Sequence, residues 1–233
     1  MAPIRAVLLD LDDTLCDSEG LTPIRLKAVH KAMADSVDPT LLSEVMNEAL
    51  NWDSVGVPGR FLNRMSRLAE RLGLDDKTTQ FMRNVYNKVL MDNLTLYDGV
   101  DETLAWLEAR FKLGLITNGP TDLQRGKIDV LGLENRFGCI AIGGEVGAHK
   151  PDPKIFQHCL DGLDVEAAEC IYIGDRTEAD VVGARNMGIV AIRIRKSYPF
   201  PMDDEPAPDY FLDSVNELPA LMVSEGWAAP GNG

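Results

Sequence analysis

Long apolar runs are missing from the 233-residue sequence. No window approaches the ~18 continuous apolar residues that a membrane helix requires. Near the amino terminus, the apolar segment Ala6–Leu9 is interrupted by Asp10, whereas a secretory signal peptide needs a longer apolar stretch and a small-residue cleavage site. We therefore expect a cytoplasmic protein that neither spans a membrane nor carries a signal peptide.

Cysteine is scarce and irregularly spaced. Cys16, Cys139, Cys159 and Cys170 form no C-x-x-C pair, and no histidine-rich segment accompanies them. This spacing favours neither a disulfide framework nor a zinc site. Because free cysteine usually behaves as a small buried hydrophobe, we expect these residues to be free thiols in the interior.

Positive charge is also in short supply. The chain has 23 lysine and arginine residues against 37 acidic ones, which gives a net charge of -14. A strongly acidic surface repels nucleic acid and anionic lipid, so we expect neither as a partner. An anionic substrate would then have to meet a local positive site or a metal ion.

Short apolar runs of strand length recur along the chain. Because such runs indicate strands buried on both faces, and helical patterns separate them after residue 98, the order predicts a doubly wound parallel sheet in a Rossmann-like α/β core. The predicted strands are residues 6–11, Leu113–Thr117, Cys139–Ile142, Cys170–Gly174, Ile189–Ile194 and Tyr210–Leu212.

A run of helical patterns interrupts this alternation after the first strand. Helices are predicted at 22–35, 39–51, 57–73 and 76–92, with glycine-containing turns between them. We therefore predict that residues 1–15 and 94–233 form the catalytic core, and that residues 16–93 form an inserted all-helical domain.

Polar residues follow the predicted strands at their carboxyl ends, where functional groups of an open parallel sheet gather. Clustered acids repel one another unless a cation lies among them. Carboxylate oxygens suit Mg²⁺, which shares phosphate oxygens of a substrate, and a lysine with an amide supplies donors for phosphoryl oxygens. The sequence therefore predicts a magnesium-dependent phosphate site. The residues at the strand ends are Asp10, Asp12, Asp13, Thr14, Thr117, Asn118, Lys150, Asp175 and Asp180.

Four short strings, in this order and spacing, resemble the four motifs of the haloacid dehalogenase-like hydrolase superfamily. The helical insertion lies where that family carries its cap domain, so the resemblance extends over essentially the whole chain. The strings are Asp10-Leu11-Asp12-Asp13-Thr14-Leu15, Leu115-Ile116-Thr117-Asn118-Gly119, His149-Lys150-Pro151-Asp152-Pro153 and Gly174-Asp175-Arg176-Thr177-Glu178-Ala179-Asp180.

The resemblance implies hydrolysis of a phosphomonoester through an aspartyl-phosphate. Asp10 would be the nucleophile, and Asp12 would act first as general acid and then as base for the hydrolytic water. Such a division of labour requires two nearby acids whose pKa values differ. The magnesium ion would be held by Asp10, the backbone carbonyl of Asp12, and Asp175.

The same resemblance implies how the phosphoryl group is held. Thr117, Asn118 and Lys150 would bind the transferring phosphoryl group, and Asp180 would orient Lys150 or a water on the metal. Thr177 and Asp180 also have the spacing of a capping box at the start of a helix, which is compatible with that role. The expected substrate is a small phosphorylated metabolite, and no motif identifies it or the oligomeric state.

Three other functions fit the same fold. A 2-haloacid dehalogenase needs neither the second acid nor magnesium, so the presence of Asp12 and Asp175 argues against it. A phosphomutase would return the phosphoryl group to the sugar, and a requirement for a bisphosphate would reveal it. A catalytically inactive binding module would carry a degraded motif, whereas all four motifs are intact.

Four arginines in the helical insertion lie on one predicted helix face: Arg60, Arg64, Arg67 and Arg71. Their spacing is that of neighbouring turns of a helix. Two interpretations are open. The face is either solvated and paired with nearby acids, or a clamp for a second anionic group of the substrate. Phe61, Met65, Leu68 and Leu72 form the adjacent stripe, which we expect in the core.

Overall fold

The protein is described by a computed structural model that covers residues 3–52, 64–197 and 205–229. Its chain divides into two compact units. The larger unit comprises Met1–Asp17, Thr95–Lys196 and Met202–Gly233, and the smaller comprises Ser18–Leu94 with Ser197–Pro201. In the described ranges, no helix combines the length and apolar character needed to cross a bilayer.

The larger unit is built on a six-stranded sheet in which every neighbouring pair is parallel. Its strands lie in the order β3-β2-β1-β4-β5-β6, with helices on both faces. This is the predicted α/β Rossmann-like fold. The strands are β1 (Ala6–Leu9), β2 (Lys112–Thr117), β3 (Cys139–Ile142), β4 (Cys170–Gly174), β5 (Val190–Ile194) and β6 (Tyr210–Leu212).

The first strand ends earlier than predicted. β1 stops at Leu9 rather than at residue 11. Asp10 still donates its backbone N–H to the Ile173 carbonyl at 2.9 Å, but Asp13 then takes the left-handed conformation with φ 60°. The strand therefore cannot continue through this loop, because a residue in the left-handed conformation interrupts the extended backbone.

Helices connect the strands of this unit. Its helices are α5 (Val100–Glu108), α6 (Thr121–Val130), α7 (Gly143–Val146), α8 (Pro153–Leu163), α9 (Val182–Asn186) and α10 (Leu218–Ser224). The predicted start of α8 is confirmed, since the Asp152 side chain accepts from the Lys154 N–H and Pro153 occupies the first turn. Its buried face, which includes Phe156 and Leu160, joins the main hydrophobic cluster of the sheet.

Among its described residues, the smaller unit contains four helices: α1 (Thr22–Met33), α2 (Pro39–Ala49), α3 (Arg64–Leu72) and α4 (Asp76–Asn93). They pack around their own core, which includes Met65, Leu68 and Leu72 as predicted. Phe61 and Arg60 lie outside the described residues. A separate core shows that this unit buries apolar surface independently of the sheet.

The predicted arginine face is not uniformly solvated. Arg64 is 2% exposed, and its guanidinium forms an ion pair with Glu19 at 2.5 Å. A solvated position was therefore wrong for Arg64. All three of its nitrogens donate to groups of the same unit, which leaves this side chain unsuited to clamping a substrate. The acceptors are the side chains of Glu19, Thr22 and Tyr86 and the carbonyls of Ala49 and Trp52.

The other two described arginines of that face are more exposed. Arg71 pairs with Glu48 at 2.6 Å on the surface. Arg67 stacks over the Trp52 ring, with its guanidinium carbon 4.3 Å from the ring centre. Both contacts are of the kind that a solvated helix face makes with its neighbours.

Candidate active site

The carboxyl ends of β1 and β4 bring three acidic side chains together. Asp10 follows β1 directly, and Asp175 and Asp180 follow β4. All three are buried, at 5%, 2% and 0% exposure. After β1 the chain continues to β2 and β3 on one side of the sheet, and after β4 it continues to β5 and β6 on the other side. The carboxyl edge between β1 and β4 is therefore the topological switch point at which open α/β sheets bind ligands.

A buried lysine lies among these acids. Lys150 Nζ donates to Asp10 Oδ1 at 2.5 Å and to the Tyr172 hydroxyl at 2.9 Å, and it lies 2.8 Å from Asp180 Oδ1. An ammonium group has three N–H donors, so these three partners match its full capacity. A phosphoryl oxygen that binds Lys150 must therefore replace or share one of them.

The charges in this cluster shift one another's pKa values. Burial raises the pKa of Asp10 well above its ordinary value; Lys150 lowers it, and Asp180 and Asp175 raise it further. Burial alone would lower the pKa of Lys150, but Asp10 and Asp180 outweigh that effect and raise it. The lysine is therefore held firmly in its charged form.

The acidic cluster has the chemistry of a metal site. Asp10, Asp175 and Asp180 each offer a carboxylate oxygen, and these oxygens lie within 4.8 Å of one another. Hard oxygen donors at this spacing suit Mg²⁺, and a divalent cation would relieve the repulsion that raises the pKa of Asp10. The residues present thus fit a magnesium ion.

Asp180 is already engaged by protein donors. Oδ1 accepts from the Tyr172 hydroxyl at 2.8 Å, and Oδ2 accepts from the Arg176 backbone N–H at 2.9 Å. The capping box was wrong, because Thr177 makes no capping hydrogen bond at the start of the π-helical turn Thr177–Val181. Gly174 is required beside it, since an added Cβ there would lie 2.4 Å from Asp180 Cγ.

The second motif is held by hydrogen bonds at the end of β2. Asn118 accepts from the Lys150 backbone N–H at 2.7 Å and donates to the Lys150 carbonyl at 3.0 Å. Its side chain therefore fixes the loop that carries Lys150. Thr117 is 1% exposed, and its Oγ1 accepts from the Gln124 amide at 2.5 Å.

Both carboxylate oxygens of Asp12 are bound by side chains of helix α6. Its Oδ1 pairs with Lys127 Nζ at 2.6 Å, and its Oδ2 accepts from Gln124 Nε2 at 3.0 Å. Thr14, from the same loop, donates to Asp10 Oδ2 at 3.4 Å. The loop after β1 thus presents two carboxylates that are held by different cations.

Four polar residues at the site were not singled out from the sequence: Tyr172, Gln124, Lys127 and Arg193. Tyr172 sits inside an apolar strand, although a buried hydroxyl signals a need for a polar partner. Gln124 and Lys127 are three residues apart just after the second motif, so they share a helix face. Arg193, 5% exposed near the end of β5, donates to the Asp175 carbonyl at 3.2 Å.

Comparison with known families identifies this constellation. The protein-family model of the haloacid dehalogenase-like hydrolases matches residues 4–188. The chain belongs to this family. That match covers all four motifs, from Asp10 to Asp180, together with the helical insertion, and it agrees with the resemblance seen in the sequence.

Named relatives narrow the family assignment. N-acylneuraminate-9-phosphatase from Rattus norvegicus is 32% identical over 96% of each chain. Glyceraldehyde 3-phosphate phosphatase from Methanopyrus kandleri is 33% identical over 92% of this chain and 95% of its own. Family and relatives together identify the chain as a phosphatase of the haloacid dehalogenase-like hydrolases.

The fold is shared with a solved enzyme of different chemistry. A 2-haloacid dehalogenase from Pseudomonas syringae pv. Tomato is 28% identical, with a TM-score of 0.66 over 97% of this chain and 100% of its own. The same scaffold thus serves two reactions, and the distinction rests on the side chains of the site.

Proposed function

We propose that the protein is a magnesium-dependent phosphomonoester hydrolase that forms an aspartyl-phosphate on Asp10. The observation that carries this proposal is the buried cluster of Asp10, Lys150, Asp175 and Asp180 at the switch point of the sheet. It offers a nucleophile, a cation for the phosphoryl group and ligands for a divalent ion within one site. The substrate is a small phosphorylated metabolite.

The first half of the reaction transfers the phosphoryl group to the protein. A carboxylate oxygen of Asp10 attacks phosphorus, the bond between phosphorus and the ester oxygen breaks, and Asp12 gives its proton to the departing alcohol. Lys150 and the Thr117 hydroxyl stabilise the charge on the transferring group. Asn118 contributes to phosphate binding by holding the Lys150 backbone, to which its amide is bonded on both sides.

The second half regenerates the enzyme. Water attacks phosphorus of the aspartyl-phosphate, Asp12 takes the proton of that water, and the bond from phosphorus to the Asp10 oxygen breaks. Inorganic phosphate leaves and Asp10 is again a carboxylate. Asp12 thus serves as general acid in the first half of the reaction and as general base in the second.

We propose that Asp10, the backbone carbonyl of Asp12, and Asp175 hold the magnesium ion. When bound, the ion supplies positive charge that favours the ionised form of Asp10 and offsets repulsion between carboxylates and phosphate. Asp180 then serves to orient Lys150, since the two side chains lie 2.8 Å apart. This role accounts for both oxygens of Asp180 being used by protein donors.

The substrate class follows from the relatives only in outline. Two relatives of similar identity carry the names of phosphatases for N-acylneuraminate 9-phosphate and glyceraldehyde 3-phosphate. We propose phosphate esters of sugars and of small hydroxy compounds as the first substrates to test. We also propose that the helical unit serves as a cap domain, because it is inserted after the strand that precedes Asp10. A cytoplasmic location stays a prediction from the sequence.

A screen of phosphorylated metabolites with and without magnesium tests this function. Phosphate release should occur with Mg²⁺ and cease in excess chelator. The matched arm measures halide release from 2-chloropropionate under the same conditions. Halide release that persists in chelator, without phosphate release, would overturn the phosphatase in favour of the dehalogenase.

The phosphomutase alternative has its own signature. A mutase needs a bisphosphate to return the phosphoryl group to the sugar, whereas a hydrolase needs only water. If adding a sugar bisphosphate converts phosphate release into isomerisation of a sugar monophosphate, the mutase is correct. A hydrolase gives the same rate of phosphate release with or without catalytic amounts of the bisphosphate.

A further inference from the structure

Helix α6 places two buried donors against the carboxylate of Asp12. Lys127 Nζ lies 2.6 Å from Oδ1, and Gln124 Nε2 lies 3.0 Å from Oδ2. Lys127 is 4% exposed and Gln124 is 1% exposed, whereas the Asp12 side chain is 28% exposed. Two buried side chains thus hold both oxygens of a carboxylate that is itself open to solvent.

Because both donors come from the same helix, they can hold Asp12 in one precise position. Gln124 and Lys127 lie one helical turn apart and so project from the same face of α6. Asp12 lies on the turn after β1, next to Asp13 with its left-handed φ of 60°. The orientation of a side chain on such a turn is fixed by its hydrogen-bond partners. Partners on a helix hold it more precisely than partners on a loop would.

Stability alone does not explain this arrangement. Burying a lysine and an amide costs free energy that an apolar side chain of similar size would avoid. Two neighbouring positions on one helix both carry this cost and both point at the same carboxylate. Asp12 is the residue at which proton transfer is proposed, so the arrangement coincides with the chemistry.

Gln124 also links Asp12 to the phosphate-binding hydroxyl. Its amide nitrogen donates to Thr117 Oγ1 at 2.5 Å as well as to Asp12 Oδ2. Because the Thr117 oxygen accepts from Gln124, its own hydrogen is directed away from Gln124. It is donated to the Asn118 carbonyl at the long distance of 3.4 Å, a contact that a phosphoryl oxygen can replace. One buried amide therefore fixes the acid and the phosphate-binding hydroxyl relative to each other.

We propose that Gln124 and Lys127 are positioning residues that hold Asp12 in the orientation from which it exchanges protons with the leaving alcohol and the attacking water. This inference rests on the proposed function. Displacing a reacting group by about 1 Å can cost up to about 10²-fold in rate. Loss of either donor should therefore slow proton transfer without removing the acid itself.

The first test compares leaving groups in Lys127→Met and Gln124→Met, which keep side-chain size. The kcat/KM value reports only the steps up to release of the alcohol. It should fall about 10- to 100-fold for an alkyl phosphate and much less for p-nitrophenyl phosphate, whose phenolate leaves with little proton help. Equal losses on both esters overturn the positioning role. Should Lys127→Met fail to fold, Lys127→Gln carries the same comparison.

The matched control is Arg125→Met on the same helix. Arg125 pairs with Glu145 and Glu134 at the surface, and in the described part of the chain its side-chain hydrogen bonds go to these two acids and not to the loop of Asp12. This variant removes a cation between the two positioning residues in sequence, and it should keep wild-type kcat/KM on both esters. A leaving-group effect in Arg125→Met would show a general response of α6 and overturn the inference.

A double variant tests whether Lys127 acts through Asp12. If it does, Asp12→Asn with Lys127→Met loses no more activity than Asp12→Asn alone, because the group being positioned is already gone. If the losses of activity of the two single variants multiply in the double variant, the inference is contradicted. If the wild type hydrolyses none of the esters, the proposed function fails. If Asp12→Asn is selective for leaving group and the α6 variants are not, only the positioning role fails.

Discussion

The ammonium nitrogen of Lys150 lies 2.5 Å from Oδ1 of Asp10, and both side chains are buried. The same nitrogen lies 2.8 Å from Asp180 Oδ1, so one cation is shared between two carboxylates. Asp175 Oδ2 lies 3.6 Å from Arg176 Nε, which is a longer ion-pair distance. The shared lysine explains why Asp10 and Asp180 can be buried together.

The first prediction concerns metal binding measured without turnover. Mg²⁺ should raise the melting temperature of the wild-type protein, because a ligand at 100 times its dissociation constant stabilises the folded state by about 2.7 kcal/mol. Asp175→Asn should lose most of that increase. In chelator, the same variant should melt no lower than the wild type, since removing one of three close carboxylates relieves repulsion.

The control for this measurement is Asp213→Asn. Asp213 pairs with Arg195 at 3.3 Å, and its side chain is 73% exposed. This variant changes the net charge by the same amount and should keep the wild-type response to Mg²⁺. A full magnesium response in Asp175→Asn would exclude Asp175 from the ligands.

The second prediction concerns the Tyr172 hydroxyl. It donates to Asp180 and accepts from Lys150 inside the buried cluster, and burial together with Asp180 and Asp10 raises its pKa, so it remains a neutral donor. Tyr172→Phe should reduce the free energy of unfolding by about 1.5–3 kcal/mol, the usual contribution of a hydrogen bond to a charged group. Urea unfolding measures this change.

Tyr210→Phe provides the comparison. Its hydroxyl bonds to Glu225 at 2.9 Å at the surface, so its loss should change the free energy of unfolding by less than about 0.5 kcal/mol. Equal effects of the two substitutions would contradict the buried network around Lys150.

The third prediction separates the two ion-paired arginines of α3. Arg64→Met leaves Glu19 without its buried guanidinium and should destabilise the helical unit by about 3–5 kcal/mol. Arg71→Met removes a surface pair with Glu48 and should cost at most about 1 kcal/mol. Urea unfolding followed by circular dichroism measures both, and a larger loss for Arg71→Met would refute the burial of Arg64.

Much of the fold could be predicted from the sequence. Six strands lie close to their predicted bounds because buried strands are continuous apolar runs. The motif residues Asp10 and Asp175 directly follow β1 and β4, the two strands between which the strand order reverses. The exact end of β1 was missed because the left-handed turn at Asp13 follows from local hydrogen bonding rather than composition.

Contacts between distant residues were harder to predict. Arg64 has the same helical spacing as Arg67 and Arg71, which are more exposed. Only the packed structure shows that Arg64 is buried in an ion pair with Glu19. Gln124 and Lys127 resemble ordinary polar residues of an exposed helix face until the register of β2 and α6 brings them to Asp12. Partners that are more than 100 positions apart in the chain leave no periodic signal in a single sequence.

We propose that Asp10 carries the phosphoryl group during turnover. Rapid acid quenching of the wild-type enzyme with Mg²⁺ and an aryl phosphate, followed by peptide mass spectrometry, tests it directly. We predict a phosphate adduct on Asp10 that disappears in Asp10→Asn, whose activity should fall by at least ~10⁴-fold while it stays folded. An adduct on another residue, or an Asp10→Asn variant within about tenfold of wild-type activity, would contradict it.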